Sequence, residues 1–273
     1  MAIITIAREL AALGEEVARE LSRLTKYKLI DREYLEKRLT DYGLDAGKRE
    51  KYDEKKPGFW ASLSQERDDY LHFLKAALYE ETVGGDCIVV GRGGNAVFKS
   101  VPSLVAIKLV SPIVLRIERV MKSYACDQRH AQQIVEASDH DRVGFDKYFF
   151  SVDWTDPRSY DLTINSTKIE PAQAAKMIDH FRMIVVEPAK EEAGKRRLAE
   201  LLLGQRVVTE IVYAKKVPIH FLEAAVDGAR VVLHGVANTQ SAIDASLAAA
   251  RSVPGVGEAE SMIQVVQEFT VMP

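Results

Sequence analysis

The stretch Ile3–Glu20, IITIARELAALGEEVARE, decides how the rest of the chain is read. Ile3-Ile4-Thr5-Ile6 is a short apolar run rich in β-branched residues, the composition of a buried strand. Beyond a connector, Leu13, Val17, Leu21 and Leu24 recur at spacings of three and four, the period of a helix. A strand, a tight turn and a helix N-terminus form a natural anion site, because backbone N–H groups and the helix dipole converge there. A working phosphate loop reads G-x-x-x-x-G-K-[ST]. Here the turn runs Ala7-Arg8-Glu9-Leu10-Ala11-Ala12-Leu13-Gly14-Glu15-Glu16, with one glycine, no lysine after it, and two acids instead.

Working outward, further apolar runs alternate with helical periods. Lys28-Leu29-Ile30 is a short strand ending at Asp31-Arg32, and a helix follows through Tyr34, Leu35 and Leu39. Residues 41–58 are polar with mixed charge and are expected to be an exposed connection. A helix over 59–83 carries Leu63, Tyr70, Leu71, Leu74, Ala77 and Leu78, and Gly84-Gly85 stops it. Cys87–Val90 and Leu104–Val110 read as buried parallel strands. The first of these ends in Gly91-Arg92-Gly93-Gly94. Pro112 opens a helix bearing Arg116, Arg119 and Lys122. Ala125–Ser138 is expected to be another helix, followed by a polar Asp139-His140-Asp141-Arg142. Tyr160–Ile164 is a fifth strand, and Pro171 starts the next helix.

This alternation predicts an α/β domain, a parallel sheet flanked by helices in three layers. Ligands of such sheets bind beyond the carboxyl ends of the strands, which selects Arg8, Glu9, Asp31, Arg32 and Arg92. Near Pro188 the pattern changes. Ala189–Arg197 is charged and alanine-rich, a linker or helix. From Leu198 a helix to about Leu203, a hairpin across Asp227-Gly228, a helix over Thr239–Ser252 and a last strand Met262–Val266 make an α-β-β-α-β unit, a small α+β domain. The expected division is 1–187, a linker at 188–197, and 198–267.

The bulk properties exclude several classes. A net charge of −3 over 273 residues gives no electrostatic case for nucleic acid. The two cysteines, Cys87 and Cys126, form neither a C-x-x-C pair nor a disulfide framework, and no metal-ligand pattern is visible. No apolar run approaches the roughly 18 residues of a membrane span. Met1 leads into a strand without a signal-peptide pattern, so a cytoplasmic location is expected.

The first unit resembles the cytidylate-kinase-like family, a branch of the nucleoside-monophosphate kinases within the P-loop kinase fold. The resemblance is carried, in order, by Ile4–Glu9, Ile30–Glu33, Val89–Gly94, Arg116–Arg119, Asp139–Arg142 and Tyr160–Thr167. It implies transfer of the ATP γ-phosphoryl to CMP, dCMP or a similar acceptor, with Mg2+ accompanying the ATP. It implies acceptor binding by Asp31, Gly91, Arg92 and Gly93. It implies lid and transfer roles for Arg116, Arg119, Asp141 and Arg142, and donor binding by Arg8, Glu9 and Gly14. Relatives commonly carry Gly-Ser-Gly-Gly where this chain has Ala11-Ala12-Leu13-Gly14, and they too often lack the lysine. The second unit resembles a BON domain, through Asp227-Gly228, V-x-L-x-G-V at Val231–Val236, and Pro254-Gly255-Val256. That resemblance implies a small ligand or protein partner for it.

Each residue also has a plainer reading. Asp31 is equally suited to cap the next helix. Arg116 and Arg119, three apart, also suit a solvated basic face, and His140 reads as a solvated loop histidine. Glu15 and Glu16 suit a first helical turn, yet would repel a triphosphate. At an effective dielectric near 20, one charge pair about 4 Å apart is worth about 4 kcal/mol, and Arg8 is the candidate compensating cation. Three functions follow: an active nucleoside-monophosphate kinase, an impaired nucleotide-binding protein reporting through its C-terminal module, or an interaction protein whose binding resides in 198–267.

Overall fold

The computed structural model describes residues 1–42 and 65–266. The expected connection at 41–58 falls almost wholly outside the described residues, as do Leu63 and the start of the helix expected from 59. The chain divides into two compact units, 1–195 and 196–273.

The first unit is built on β1 (Ile3–Arg8), β2 (Lys28–Ile30), β3 (Cys87–Val90), β4 (Leu104–Val110) and β5 (Leu162–Asn165). The strands lie in the order β2-β3-β1-β4-β5, and every pairing is parallel. All six residues of β1 are buried, as the β-branched run predicts for a central strand covered on both faces. Its helices are α1 (Gly14–Thr25), α2 (Arg32–Asp41), α3 (Gln65–Thr82), α4 (Gly94–Val97), α5 (Ile113–Tyr124), α6 (Gln128–Phe150) and α7 (Pro171–Val185), and α8 (Pro188–Val208) begins in this unit and ends in the second.

Alternation along β1 sends Ile4 and Ile6 into one core. There they meet Ile88, Val90, Val105 and Ile107 from the neighbouring strands, Val17 and Leu21 of α1, and Ala174 and Ile178 of α7. Each fully buried isoleucine contributes about 1.5–3 kcal/mol. Thr5 points the other way, toward Gly94, where an added Cβ would stand 3.1 Å from Thr5 Cγ2. Buried Tyr70 and Phe149 also pack together, ring centroids 5.4 Å apart. Leu24 departs from the expected apolar stripe: it is 46% exposed, since α1 ends one residue later and its last turn faces water.

A larger correction concerns α6. The helix does not end at Ser138 but runs through Asp139-His140-Asp141-Arg142 to Phe150. Its polar middle reads as a loop only in isolation. Asp139 is paired with α5, and the next turns bury Phe145 and Phe149. His140 is therefore an exposed helical residue rather than a loop one.

In the second unit β6 (Ile219–Asp227) pairs antiparallel with β7 (Arg230–Ala237) across Gly228-Ala229, and Gly228 is left-handed at φ 60°. The helix α9 (Gln240–Ser252) is capped by the Thr239 hydroxyl on Ala242 N–H. The last strand differs from expectation. It is two short pieces, β8 (Glu258–Ser261) and β9 (Gln264–Val265), both parallel to β7 and broken at Met262-Ile263. The break reflects burial, since Ile263 turns into the core of this unit while Met262 is 63% exposed.

Candidate active site

The loop between β1 and α1 is shaped without glycine at its two left-handed positions. Ala11 (φ 61°) and Leu13 (φ 64°) both adopt a conformation that L-residues avoid. What holds Ala11 is packing and hydrogen bonding. Leu10 and Ala11 lie against Ile117, Val120, Ala131 and Val135 of α5 and α6. Arg119 Nη1 donates to the Ala11 carbonyl at 2.8 Å and also reaches the Ser111 and Ser166 hydroxyls at 3.4 and 3.5 Å.

Arg8, at the end of β1, is buried and passes beneath the start of α1. A Cβ on Gly14 would stand 2.6 Å from both Arg8 Cβ and Cγ, so the helix begins on glycine because the arginine stem lies against it. The Arg8 Nε then donates to Glu15 Oε1 at 2.8 Å. Burial pushes the Glu15 carboxyl up, but the Arg8 charge and hydrogen bond, its helix-turn backbone contact and Arg142 outweigh this and hold it below the usual range. Glu15 is thus turned toward an internal cation.

Glu9 accepts from the Ser111 backbone N–H at 2.8 Å and lies 3.4 Å from Arg116 Nε. It joins the ends of β1 and β4. Arg116 also makes a two-pronged contact with Asp139, both distances 2.9 Å. Arg8, Glu9, Arg116 and Arg119 therefore all contact protein groups around the loop.

The second focus lies beyond β3. Gly91 (φ 72°), Arg92 (φ 56°) and Gly93 (φ 65°) form three consecutive left-handed residues. Two are glycine, as such a run requires. A Cβ on Gly93 would come within 2.1 Å of Phe150 Cε2, so the end of α6 closes directly over this turn. Arg92 is 2% exposed and donates to Tyr70 Oη at 3.2 Å and to Glu36 Oε1 at 3.5 Å.

A cleft opens here, at the carboxyl ends of β1 and β3. It brings Arg8, Arg92 and Arg142 together with Thr5, the glycines of the turn, and Phe145, Asp146 and Trp154. Arg142 Nη1 donates to Ser138 Oγ at 2.5 Å, one helical turn back. The Thr5 hydroxyl is buried without a hydrogen-bond partner among the described residues. Three arginines lining one cleft with two aromatic residues and one acid suit an organic phosphate, since planar forks bind phosphate oxygens in pairs.

The cleft thus unites Arg8, Gly91, Arg92, Gly93 and Arg142 from the sequence candidates. It does not include Glu9, Gly14, Asp31, Arg116, Arg119 or Asp141. Asp31 caps α2, accepting from Tyr34 N–H at 3.0 Å. Phe145, Asp146 and Trp154 escaped the sequence reading. For the first two a signal existed: Arg142, Phe145, Asp146 and Phe149 fall at i, i+3, i+4 and i+7, one helical face.

Residues 3–168 match a family model described as the cytidylate kinase-like family. The chain belongs to the cytidylate kinase-like family. Among solved structures, it is similar to an uncharacterized protein from Eubacterium ventriosum, with 19% identity and a TM-score of 0.53, covering 67% of this chain and 99% of that one. That likeness is one of fold. A sugar kinase from Janibacter sp. aligns with 11% identity and a TM-score of 0.42, covering 70% of this chain and 98% of its own. A shikimate kinase from Acinetobacter baumannii aligns with 13% identity and a TM-score of 0.37, covering 67% and 94%. No curated protein matches the chain.

A loop that holds ATP with Mg2+ places a cation and a hydroxyl beside the phosphates. The cation that a phosphate loop supplies by lysine and the hydroxyl it supplies to the metal are both missing after Gly14, where Glu15 and Glu16 stand. The nearby guanidiniums of Arg8, Arg116 and Arg119 face protein acceptors. The loop does not fit a magnesium triphosphate. Among the described residues there is also no cluster of three or more His, Cys, Asp or Glu able to hold a metal ion, and no helix is long and apolar enough to cross a membrane.

Proposed function

We propose that the first unit binds a nucleoside monophosphate, CMP or dCMP in the first instance, in the cleft of Arg8, Arg92 and Arg142, and that phosphoryl transfer from ATP is impaired. The observation that carries this is that those three arginines line one cleft with Phe145, Asp146 and Trp154. In chemical terms, arginine forks take the phosphate, and the aromatic end takes the planar base. The Asp146 carboxylate is an acceptor for a sugar hydroxyl or an exocyclic amine.

Phosphoryl transfer needs charge neutralisation at the donor more than it needs a general base. The donor loop carries no lysine, and its neighbouring arginines are committed to Glu15, Asp139 and the Ala11 carbonyl. This supports the impaired reading over a fast kinase. In this reading the second unit, 196–273, is the reporter, a BON-like module taking a small ligand or a protein partner.

One observation favours a second reading, an active kinase of the same acceptor. Arg119 stands at the loop carbonyl of Ala11 with the Ser111 and Ser166 hydroxyls beside it, groups a bound triphosphate could recruit. Calorimetry with CMP, dCMP and Mg2+–ATP, together with a coupled assay of ADP formation, separates the two. The proposal expects CMP binding that Arg92→Ala abolishes, and no turnover. Turnover lost in Arg92→Ala replaces it with the active kinase. Absence of binding to CMP and dCMP overturns both.

A further inference from the structure

Among the described residues Lys108 is the one lysine that is buried, at 5% exposure. It sits on the central strand β4, in register with Ala7 of β1, and Ala7 lines the cleft. Its ammonium does not reach an acid within salt-bridge distance. It donates instead to the Trp154 carbonyl at 2.6 Å, and stands 3.9 Å over the Trp154 ring and 5.0 Å from the Tyr160 ring. Tyr160 Oη donates to the same Trp154 carbonyl at 3.0 Å.

Trp154 belongs to an irregular connection between α6 and β5, yet is only 6% exposed and forms part of the cleft wall. A connection of this kind has no ladder to hold it. Local turns order its neighbours, with Asp153 accepting from Thr155 and Asp156 from Arg158. Neither fixes the indole. Lys108 contacts Trp154 twice, at its backbone carbonyl and over its ring, from a strand paired on both sides.

We propose that Lys108 is a positioning residue that holds the Trp154 indole as the wall against which the base of the bound nucleotide packs. The inference deepens the acceptor-binding reading above and rests on it for the identity of the ligand. Burial pushes the Lys108 ammonium pKa down, the surrounding carboxylates Glu9, Asp146, Asp153 and Asp139 oppose this, and the net displacement is downward. Displacing an ammonium from water into an aromatic box is costly, which is a reason to expect a task there rather than a chance lysine.

The test uses the full chain with Trp60→Phe, leaving Trp154 as its tryptophan. Without ligand, Lys108→Met is expected to raise acrylamide quenching of Trp154 at least about two-fold, because the cation over the ring is lost and only the Tyr160 bond to the backbone carbonyl remains. Lys108→Arg, which keeps charge and donor, is expected to restore it. Unchanged quenching in Lys108→Met overturns the positioning role whether or not any nucleotide binds. With ligand, CMP affinity is expected to fall about ten-fold in Lys108→Met, the size of one lost base–aromatic stack, while ribose 5-phosphate affinity stays at the wild-type value. Parallel loss of both ligands, or loss of neither, overturns the proposal. Trp154→Phe, which keeps the backbone carbonyl, is expected to narrow the CMP to ribose 5-phosphate ratio similarly, and keeps the test decisive if Lys108→Met fails to fold. Wild-type protein that binds neither ligand defeats the acceptor reading, while the quenching result still judges the lysine.

Discussion

Arg116 forks onto Asp139: its two terminal nitrogens each stand 2.9 Å from one oxygen of the carboxylate. The pair ties α5 to the polar middle of α6, and the Arg116 side chain is only 5% exposed. Removing the carboxylate leaves a buried guanidinium with Glu9 as its remaining acidic neighbour, at 3.4 Å. Asp139→Ala is therefore expected to cost about 3 kcal/mol of unfolding free energy in urea. Asp139→Asn, which keeps one acceptor, should cost less. Equal losses in the two variants would mean that the fork is not what the arginine requires.

Gly93 offers a sharper steric test. Its φ of 65° and the 2.1 Å approach of Phe150 to an added Cβ act together. Gly93→Ala is expected to lose about 1 kcal/mol for the left-handed backbone and a further 1–3 kcal/mol for overpacking. Phe150→Leu in the same chain should return part of the second loss and none of the first. A thermodynamic cycle over the two sites measures that coupling.

His72 predicts the acid limb of the stability curve. Burial, helped by Lys75, lowers its pKa to about 4. The unfolded chain then binds a proton that the folded chain refuses, so stability is complete above the unfolded value of 6.5 and falls as pH drops toward 4. About 2 kcal/mol should disappear between pH 7 and pH 5, measured by urea unfolding at each pH. His72→Phe should flatten the profile from pH 7 down to about pH 4 while leaving the loss at lower pH.

The legible parts of the fold were those in which one strand's own residues decide its environment. Ile3–Ile6, Cys87–Val90 and Leu104–Val110 are apolar on both faces, and a central parallel strand is what such runs become. Asp139–Arg142 was not legible, because its helical state depends on Arg116 of another helix. The site divides in the same way. Arg92 was legible from glycines that a left-handed turn demands, whereas Ala11 and Leu13 take the same conformation with no local signal, Ala11 held by Arg119 and an apolar floor. Trp154 was hidden for a third reason: its place in the cleft wall comes from a lysine 46 residues away.

Glu15 reverses an expectation built on charge alone. Two acids after Gly14 predict repulsion of any phosphate, but the Glu15 carboxylate is hydrogen-bonded to Arg8, which lines the cleft. A bound phosphate and Glu15 therefore compete for one guanidinium. Glu15→Gln should weaken that internal claim and tighten CMP binding several-fold, of the order of 1 kcal/mol, the size of a partly exposed ion pair. The same substitution has a signature in stability. The folded carboxyl is held below its ordinary value of 4.5, so its contribution is present above that pH and lost as pH falls through the folded value. Glu15→Gln should accordingly be less stable than the wild type at neutral pH, with the difference closing as pH falls below 4.5. Calorimetry with CMP and urea unfolding at two pH values measure both effects on one protein. Tighter binding without the stability change would place the competition elsewhere than Arg8. The stability change without tighter binding would mean that Arg8 holds the helix rather than the phosphate.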